Sequence, residues 1–261
     1  MLDLIRRGFK TGIVTTRYPR GAETMPPGHV GRIELRAERL HAADAKRAEE
    51  ACPTGAIAAL EDGRVRLDQG RCIGCLRCAR VAPAMFAPSA AFETAVTDRA
   101  ALVAVSGEAA QDAGASAPGA ARRFRRSLHI RHIDSGDDNA AVSEVKLLSS
   151  PAYDLHRLGF FFTTSPRHAD ALLVTGVVTR AMERPLREAY DAMPAPRLVI
   201  AAGTEAVSGA PFDGQYPVAG GVDAVLPVDV YIPGSPPSPL SLLHGLLLAV
   251  GRAPKAARSG R

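Results

Sequence analysis

The chain has no tryptophan, and aromatic residues make up only 5 % of its 261 residues. Large rings therefore contribute little to its core, and aliphatic side chains must fill the interior. Long apolar runs are missing too. No stretch approaches the roughly 18 apolar residues needed to cross a bilayer. The longest, Leu240–Val250, contains His244 and reads as an amphipathic helix. The opening text, Met1-Leu-Asp-Leu-Ile-Arg-Arg7, turns charged before the apolar centre of a signal peptide could form. Excess charge is small, +5 at pH 7, and by itself makes no case for nucleic acid. Cysteine is scarce, with four in all. These absences point to a cytoplasmic protein that meets a membrane only at its surface or through partners.

What is present suffices for a real core. Hydrophobic residues are 46 % and charged residues 23 % of the chain. The length suits two small domains or one large one. Residues 1–34 form an extension rich in Pro, Gly and Arg, irregular after a short opening helix. Residues 35–95 hold the cysteines. Residues 96–127 read as a linker, with a low-complexity Ala/Gly/Ser stretch from about 104 to 121. The basic run Arg122–Arg126 closes it and reads as a solvated linker end, with an acidic partner or anionic lipid as the other readings. Residues 128–250 form a second domain, and 251–261 a basic tail. In that second domain Phe160–Thr164, Ala171–Gly176, Arg197–Ala202 and Ala224–Val228 are short apolar runs of the kind found in buried parallel strands. Met182–Ala192 and Pro239–Val250 between and after them read as helices. The alternation predicts a three-layer α/β domain with a mainly parallel sheet.

All four cysteines lie between residues 52 and 78. In a cytoplasmic chain that crowding reads as metal ligation rather than disulfides. Cys72-Ile-Gly-Cys75-Leu-Arg-Cys78 is a C-x2-C-x2-C triad, and Cys52-Pro-Thr-Gly-Ala-Ile57 lies upstream. Three close thiolates can grip three irons of a cubane, and a remote thiolate closes the fourth corner. In two-cluster ferredoxins the last cysteine of each run serves the other cluster. Cys52, Cys72, Cys75 and Cys78 are thus expected to hold one [4Fe–4S] cluster. A tetrahedral zinc site also takes four thiolates and is the minor alternative.

The text around these cysteines resembles bacterial-type ferredoxins over roughly residues 35–90. That implies an α+β ferredoxin-like domain. The family's second cluster would need ligands at Ala42, Ala45, Ala48 and Ala82, and all four are alanine. Freed of that task, Ala42–Ala51 has the propensity for a plain helix.

The second half carries Arg131-His-Ile-Asp134, Pro151-Ala-Tyr-Asp154, Ser165-Pro-Arg-His-Ala-Asp170, Leu173-Val-Thr-Gly-Val-Val-Thr-Arg180 and Pro227-Val-Asp-Val-Tyr-Ile-Pro-Gly234. Over about 128–250 it resembles the small subunit of formate-hydrogenlyase-type [NiFe] hydrogenases and the 20 kDa (B) subunit of complex I. The N-terminal half, with Lys10-Thr-Gly12 and Pro26-Pro-Gly28, resembles the ferredoxin partner of that family, so the chain reads as a fusion. The resemblance implies a flavodoxin-like second domain. It also implies a cluster there, on thiolates at positions that here read Asp138, Ala141, Glu205 and Ser235. Soft thiolates are what such clusters select, so that cluster is expected to be lost. In relatives Arg167 tunes its surroundings; here Arg167 and His168 are expected only to cap or to pair with Asp170. His129 and His132 read as surface or packing residues. The Gly234-Ser-Pro-Pro-Ser-Pro loop survives without its cysteine, which favours a role in fold and interface.

The implied role is an electron-transfer subunit of a membrane-associated, complex I-like or formate-hydrogenlyase-like oxidoreductase. Its expected partners are a hydrogenase-like large subunit and membrane-arm subunits, with no nucleic acid. It would sit on the cytoplasmic face of the inner membrane through its complex. A structural subunit without electron relay is the alternative, and a free-standing ferredoxin-like reductase partner a third reading.

Overall fold

The computed structural model describes residues 2–36, 41–108 and 119–254. The centre of the expected linker and most of the expected basic tail lie outside the described residues. The chain opens with helix α1 (Leu2–Thr11) and reaches β1 (Arg32–Leu35) through irregular chain. Then come α2 (Ala42–Ala51), the hairpin β2 (Ile57–Ala59) and β3 (Val65–Asp68), α3 (Arg77–Val81), β4 (Phe86–Ser89) and β5 (Val103–Val105). β1 pairs antiparallel with β4, and β3 lies between β2 and β5 in a second antiparallel sheet. Helix α2 covers the span expected from its propensity. Its Ala45 and Ala48 pack with Ile33, Leu67, Met85 and Phe86 in one core. Small side chains let the helix lie close on the strands.

The second half contains β6 (Leu128–Asp134), α4 (Ala140–Leu147), β7 (Phe160–Phe162), β8 (Ala171–Thr175), β9 (Val178–Thr179), α5 (Arg180–Asp191), β10 (Leu198–Ala202), α6 (Thr204–Ser208), β11 (Val218–Gly220), β12 (Val230–Ile232) and α7 (Pro239–Ala249). Five strands form one parallel sheet in the order β12-β10-β8-β6-β7. Counted along the chain this is the flavodoxin-like order, with the switch point between β6 and β8. Successive residues alternate between the two faces. Leu198, Ile200 and Ala202 of β10 join one core with α7, while Val199 and Ala201 join the other with Leu186 of α5 and Val207 of α6. The sheet is therefore the middle of three layers.

Four expectations about the fold need correction. Ala224–Val228 is not a strand. The chain makes a 3-10 turn at Val222–Ala224, and the strand begins beyond it. Pro227 has no N–H for a ladder, and pairing resumes where Asp229 N–H donates to Val199 O at 2.9 Å and Asp229 Oδ2 accepts from Val199 N at 2.8 Å. The described part of the expected linker is also structured. Val96 exchanges backbone hydrogen bonds of 2.9 and 2.8 Å with Tyr231, and β5 completes the sheet of β2 and β3. A three-residue strand is too short to show a period. The extension before β1 is likewise built in: Tyr18 is 2 % exposed, meets Phe92 edge-to-face at 5.2 Å, and donates from its hydroxyl to Glu93 Oε1 at 3.0 Å.

The fourth correction concerns α7, which is not amphipathic. Every residue from Pro239 to Ala249 is buried. The helix packs on β10 and β12 and beside α4, while Ala95 of the N-terminal half closes over it. A Cβ on Gly245 would stand 2.2 Å from Ile232 Cδ1 and 3.4 Å from Ala95 Cβ, so glycine sets that approach. Leu242, Leu243, Leu246 and Leu247 are fully buried, each contributing about 2 kcal/mol. His244 is the one ionisable group on the helix. Its Nδ1 accepts from Ala95 N–H at 3.3 Å, and burial lowers its pKa to about 4.

The unfolded chain takes a proton on His244 below about pH 6.5, whereas the folded chain resists until about 4. This contribution to stability is complete above 6.5 and is lost as pH falls towards 4, by about 3 kcal/mol. Urea unfolding between pH 7 and 4 should show that slope flattened in His244→Gln, which keeps an acceptor for Ala95. An unaltered slope would remove His244 as its source.

Candidate metal centre

Cys52 follows α2 directly, and its N–H donates to Glu49 O at 3.1 Å. Pro53 then prevents the helix from continuing. Gly55 at φ +61 turns the chain back so that Ala56 N–H donates to Cys52 Sγ at 3.3 Å. Thr54 Oγ1 stands 3.7 Å from the same sulfur. The triad is curled in a similar way, with Gly74 at φ +65 and Leu76 at φ +62. The left-handed backbone at Leu76 ends the loop and starts α3, whose first turn carries Cys78. Gly74 N–H is directed at Cys72 and Ala79 N–H at Cys78.

Cys52, Cys72, Cys75 and Cys78 all line one cavity of about 20 Å³, walled by Ile33, Ile57, Leu67 and Ile73. None forms a disulfide. Burial pushes the Cys72 thiol up to about 11; Gly74 N–H lowers it, and the other three cysteines raise it further. Cys78 is raised by burial as well, and by Cys75 and Cys52. An apolar pocket of thiols with N–H groups aimed at sulfur matches the needs of thiolate ligation, since metal binding replaces the protons. Among the described residues no three His, Cys, Asp or Glu are grouped closely enough to hold a single ion. The sulfurs share a cavity without meeting at one point.

The four alanines at the positions where a second cluster would need ligands fall differently. Ala45, Ala48 and Ala82 are 2 %, 0 % and 1 % exposed, inside the core with Met85 and Phe86, whereas Ala42 is on the surface.

The second set does come together. Asp138 lies after β6, Ala141 in the first turn of α4, Glu205 in the first turn of α6, and Ser235 after β12. They line one cavity of about 10 Å³ with Gly176, Gly203 and Gly234. Parallel strands all send their following loops to one edge, which is why these distant positions meet. The space suits about one water. Gly176 is needed there: its φ is +76, and a Cβ would stand 2.2 Å from Asp137 N. Burial raises Glu205 to about 7, with Asp138, Asp137 and Asp134 adding to the effect.

The two sites face each other. Thr204 Oγ1–H donates to Cys72 O at 3.0 Å. Arg71 Nη1 pairs with Asp213 Oδ2 at 2.9 Å while its Nε donates to Thr54 O at 3.0 Å. Sequence reading missed Thr204 and Arg71, and no local signal marks contacts made across more than a hundred residues. The expected pairing of Arg167 or His168 with Asp170 is replaced. Both lie exposed on a 3-10 turn, and Asp170 Oδ2 accepts from His129 N–H at 2.8 Å and lies 3.3 Å from its Nδ1. His132 Nε2 lies 3.0 Å from Thr175 Oγ1, and burial lowers its pKa.

Glu205 binds a proton more readily folded than unfolded between about pH 4.5 and 7, so its contribution to stability falls as pH rises through that window. Glu205→Gln should therefore stabilise the protein more at pH 8 than at pH 5, read as the shift in urea midpoint. An equal shift at both values would contradict the assigned proton.

Residues 140–249 match the family described as NADH ubiquinone oxidoreductase, 20 Kd subunit. Over 130 residues the chain is 42 % identical to formate hydrogenlyase subunit 7 of Escherichia coli (strain K12), covering 50 % of this chain and 51 % of that protein. The chain thus spans about half the length of that curated relative. A chain of the membrane-bound sulfane sulfur reductase, an archaeal respiratory membrane complex, superposes with a TM-score of 0.44 at 29 % identity, covering 51 % of this chain and 74 % of that one. A chain of an NAD+-reducing [NiFe]-hydrogenase gives 0.40 at 19 %, covering 51 % and 97 %. The α/β half, from α4 through α7, is therefore similar to the 20 Kd subunit of NADH ubiquinone oxidoreductase.

Proposed function

We propose that the protein is an electron-carrying subunit of a membrane-associated oxidoreductase assembly, and that Cys52, Cys72, Cys75 and Cys78 hold its single [4Fe–4S] cluster. The observation that carries this reading is the cavity lined by all four cysteines, with the Ala56 N–H donating to Cys52 Sγ at 3.3 Å. Sulfurs arranged around a cavity suit a polynuclear centre, where each thiolate holds its own iron, better than one tetrahedral zinc. When bound, such a cluster accepts and releases one electron at a time. The chain's own part is to keep water from the centre with Ile33, Ile57, Leu67 and Ile73, and to stabilise thiolate charge with the N–H groups of Ala56, Gly74 and Ala79. The N-terminal unit is read as ferredoxin-like.

The α/β half supplies no thiolate at its carboxyl edge, and its cavity there is lined by Asp138, Ala141, Glu205 and Ser235. We read it as a docking platform for a hydrogenase-like or complex I-like large subunit and membrane-arm subunits, having lost its own cluster. A purely structural role is the second reading. It draws on the Thr204–Cys72 hydrogen bond, through which a filled cysteine site would brace the two halves.

Anaerobically purified protein should contain about four irons and four sulfides per chain, and Cys72→Ser should lose most of both. About eight irons would overturn the loss of the second cluster; zinc, or no metal, would overturn the main reading. Rapid reversible reduction, followed by electron paramagnetic resonance, supports the carrier. A centre that resists reduction favours the structural role.

A further inference from the structure

Helix α1 is exposed from Asp3 onward. Helical spacing puts Leu4, Ile5, Gly8 and Phe9 on one half of its surface and Asp3, Arg6, Arg7 and Lys10 on the other. Among the described residues nothing covers the apolar half. Leu4, Ile5 and Phe9 are 78 %, 53 % and 85 % exposed, and Ile13 and Val14 beyond them 84 % and 58 %. A helix this short is marginal alone in water, and an uncovered apolar face marks an interaction site.

Charge identifies what covers it. The polar half of α1 has three cations against Asp3 alone. Just beyond the helix, Thr15 Oγ1 donates to Pro151 O at 2.7 Å, Thr16 N–H to Ala152 O at 2.8 Å, and Arg157 Nη2 to Tyr18 O at 2.6 Å. These bonds tie residues 15–18, the chain that follows α1, to the segment carrying Arg157, which lines an open groove of about 800 Å³ with Arg123, Arg125, Arg126, His156 and Arg252. Among the described residues none of these arginines enters an ion pair. Burial lowers the Arg252 pKa, and Arg125 and Arg20 lower it further, as expected where like charges crowd. An acidic protein would answer the groove but leave the apolar half of α1 in water. A bilayer with anionic headgroups answers both: acyl chains take Leu4, Ile5 and Phe9, and phosphates take the arginines, whose long stems can snorkel.

We propose that α1 lies in the interface of an anionic bilayer, with the groove of Arg125, Arg126 and Arg252 against the headgroups, so that the chain touches lipid directly rather than only through other subunits. This builds on the membrane-associated assembly proposed above but requires no cluster.

The full chain, purified anaerobically, should float with vesicles of mixed phosphatidylglycerol and phosphatidylcholine and not with phosphatidylcholine alone, and high salt should release it. Ile5→Ser with Phe9→Ser should weaken binding by about tenfold or more. Arg125→Gln should weaken it by about fivefold. Because the chain has no tryptophan, Phe9→Trp gives a single emission that should shift to the blue on anionic vesicles. Equal binding to neutral vesicles, an unshifted emission, or wild-type binding by the variants would each overturn the proposal. Iron measured on the same sample separates the two readings. Protein that holds four irons but does not float overturns only the lipid contact; iron-free protein that floats upholds it and overturns the cluster.

Discussion

Helix α7 has no face left for solvent, and much of the molecule follows from that. A helix apolar on all sides must be covered on all sides. The parallel sheet covers one side, through β10 and β12, and α4 another. Ala95, which belongs to the N-terminal half, also packs against the helix at Gly245 and donates its N–H to His244. The two halves are thereby packed together. Val96 hydrogen-bonds the edge of β12, and Tyr18 enters the same core as the leucines of α7.

That packing brings the two candidate sites to one place. The parallel sheet gathers its loops at the carboxyl edge, where Asp138, Ala141, Glu205 and Ser235 converge. The cysteine loop lies against this edge, tied by Thr204 to Cys72 and by Arg71 to Asp213. Two pockets of opposite chemistry result. One offers buried thiols and inward N–H groups, suited to a soft metal centre. The other offers carboxylates that raise one another's proton affinity, most clearly at Glu205. In a low-dielectric setting such groups favour a proton over uncompensated charge.

The sequence made the candidate cysteine site legible because its four thiols are close in the chain and their spacing is that of metal ligands. It made the parallel sheet legible because buried strands are continuous apolar runs bounded by breakers; Ala171–Thr175 and Leu198–Ala202 show this well. It misplaced the last strand, because Val225 and Leu226 are apolar without being paired, and Pro227 moved the ladder onward. It read α7 as amphipathic from a single histidine, although a neutral imidazole with one donor can be buried whole. β5 went unnoticed, being three residues long and paired with a strand far upstream.

By itself, then, the amino-acid order determined the candidate ligand set Cys52, Cys72, Cys75 and Cys78, the helix at Ala42–Ala51 and the alternation of an α/β sheet. These depend on local spacing, propensity and period. Tertiary structure alone decided that Ala95 would pack against α7, that Thr204 would reach Cys72, and that Asp138, Ala141, Glu205 and Ser235 would share one small cavity. Those are contacts between residues remote in the chain, fixed by how burial is completed across the two halves, and no local pattern encodes them.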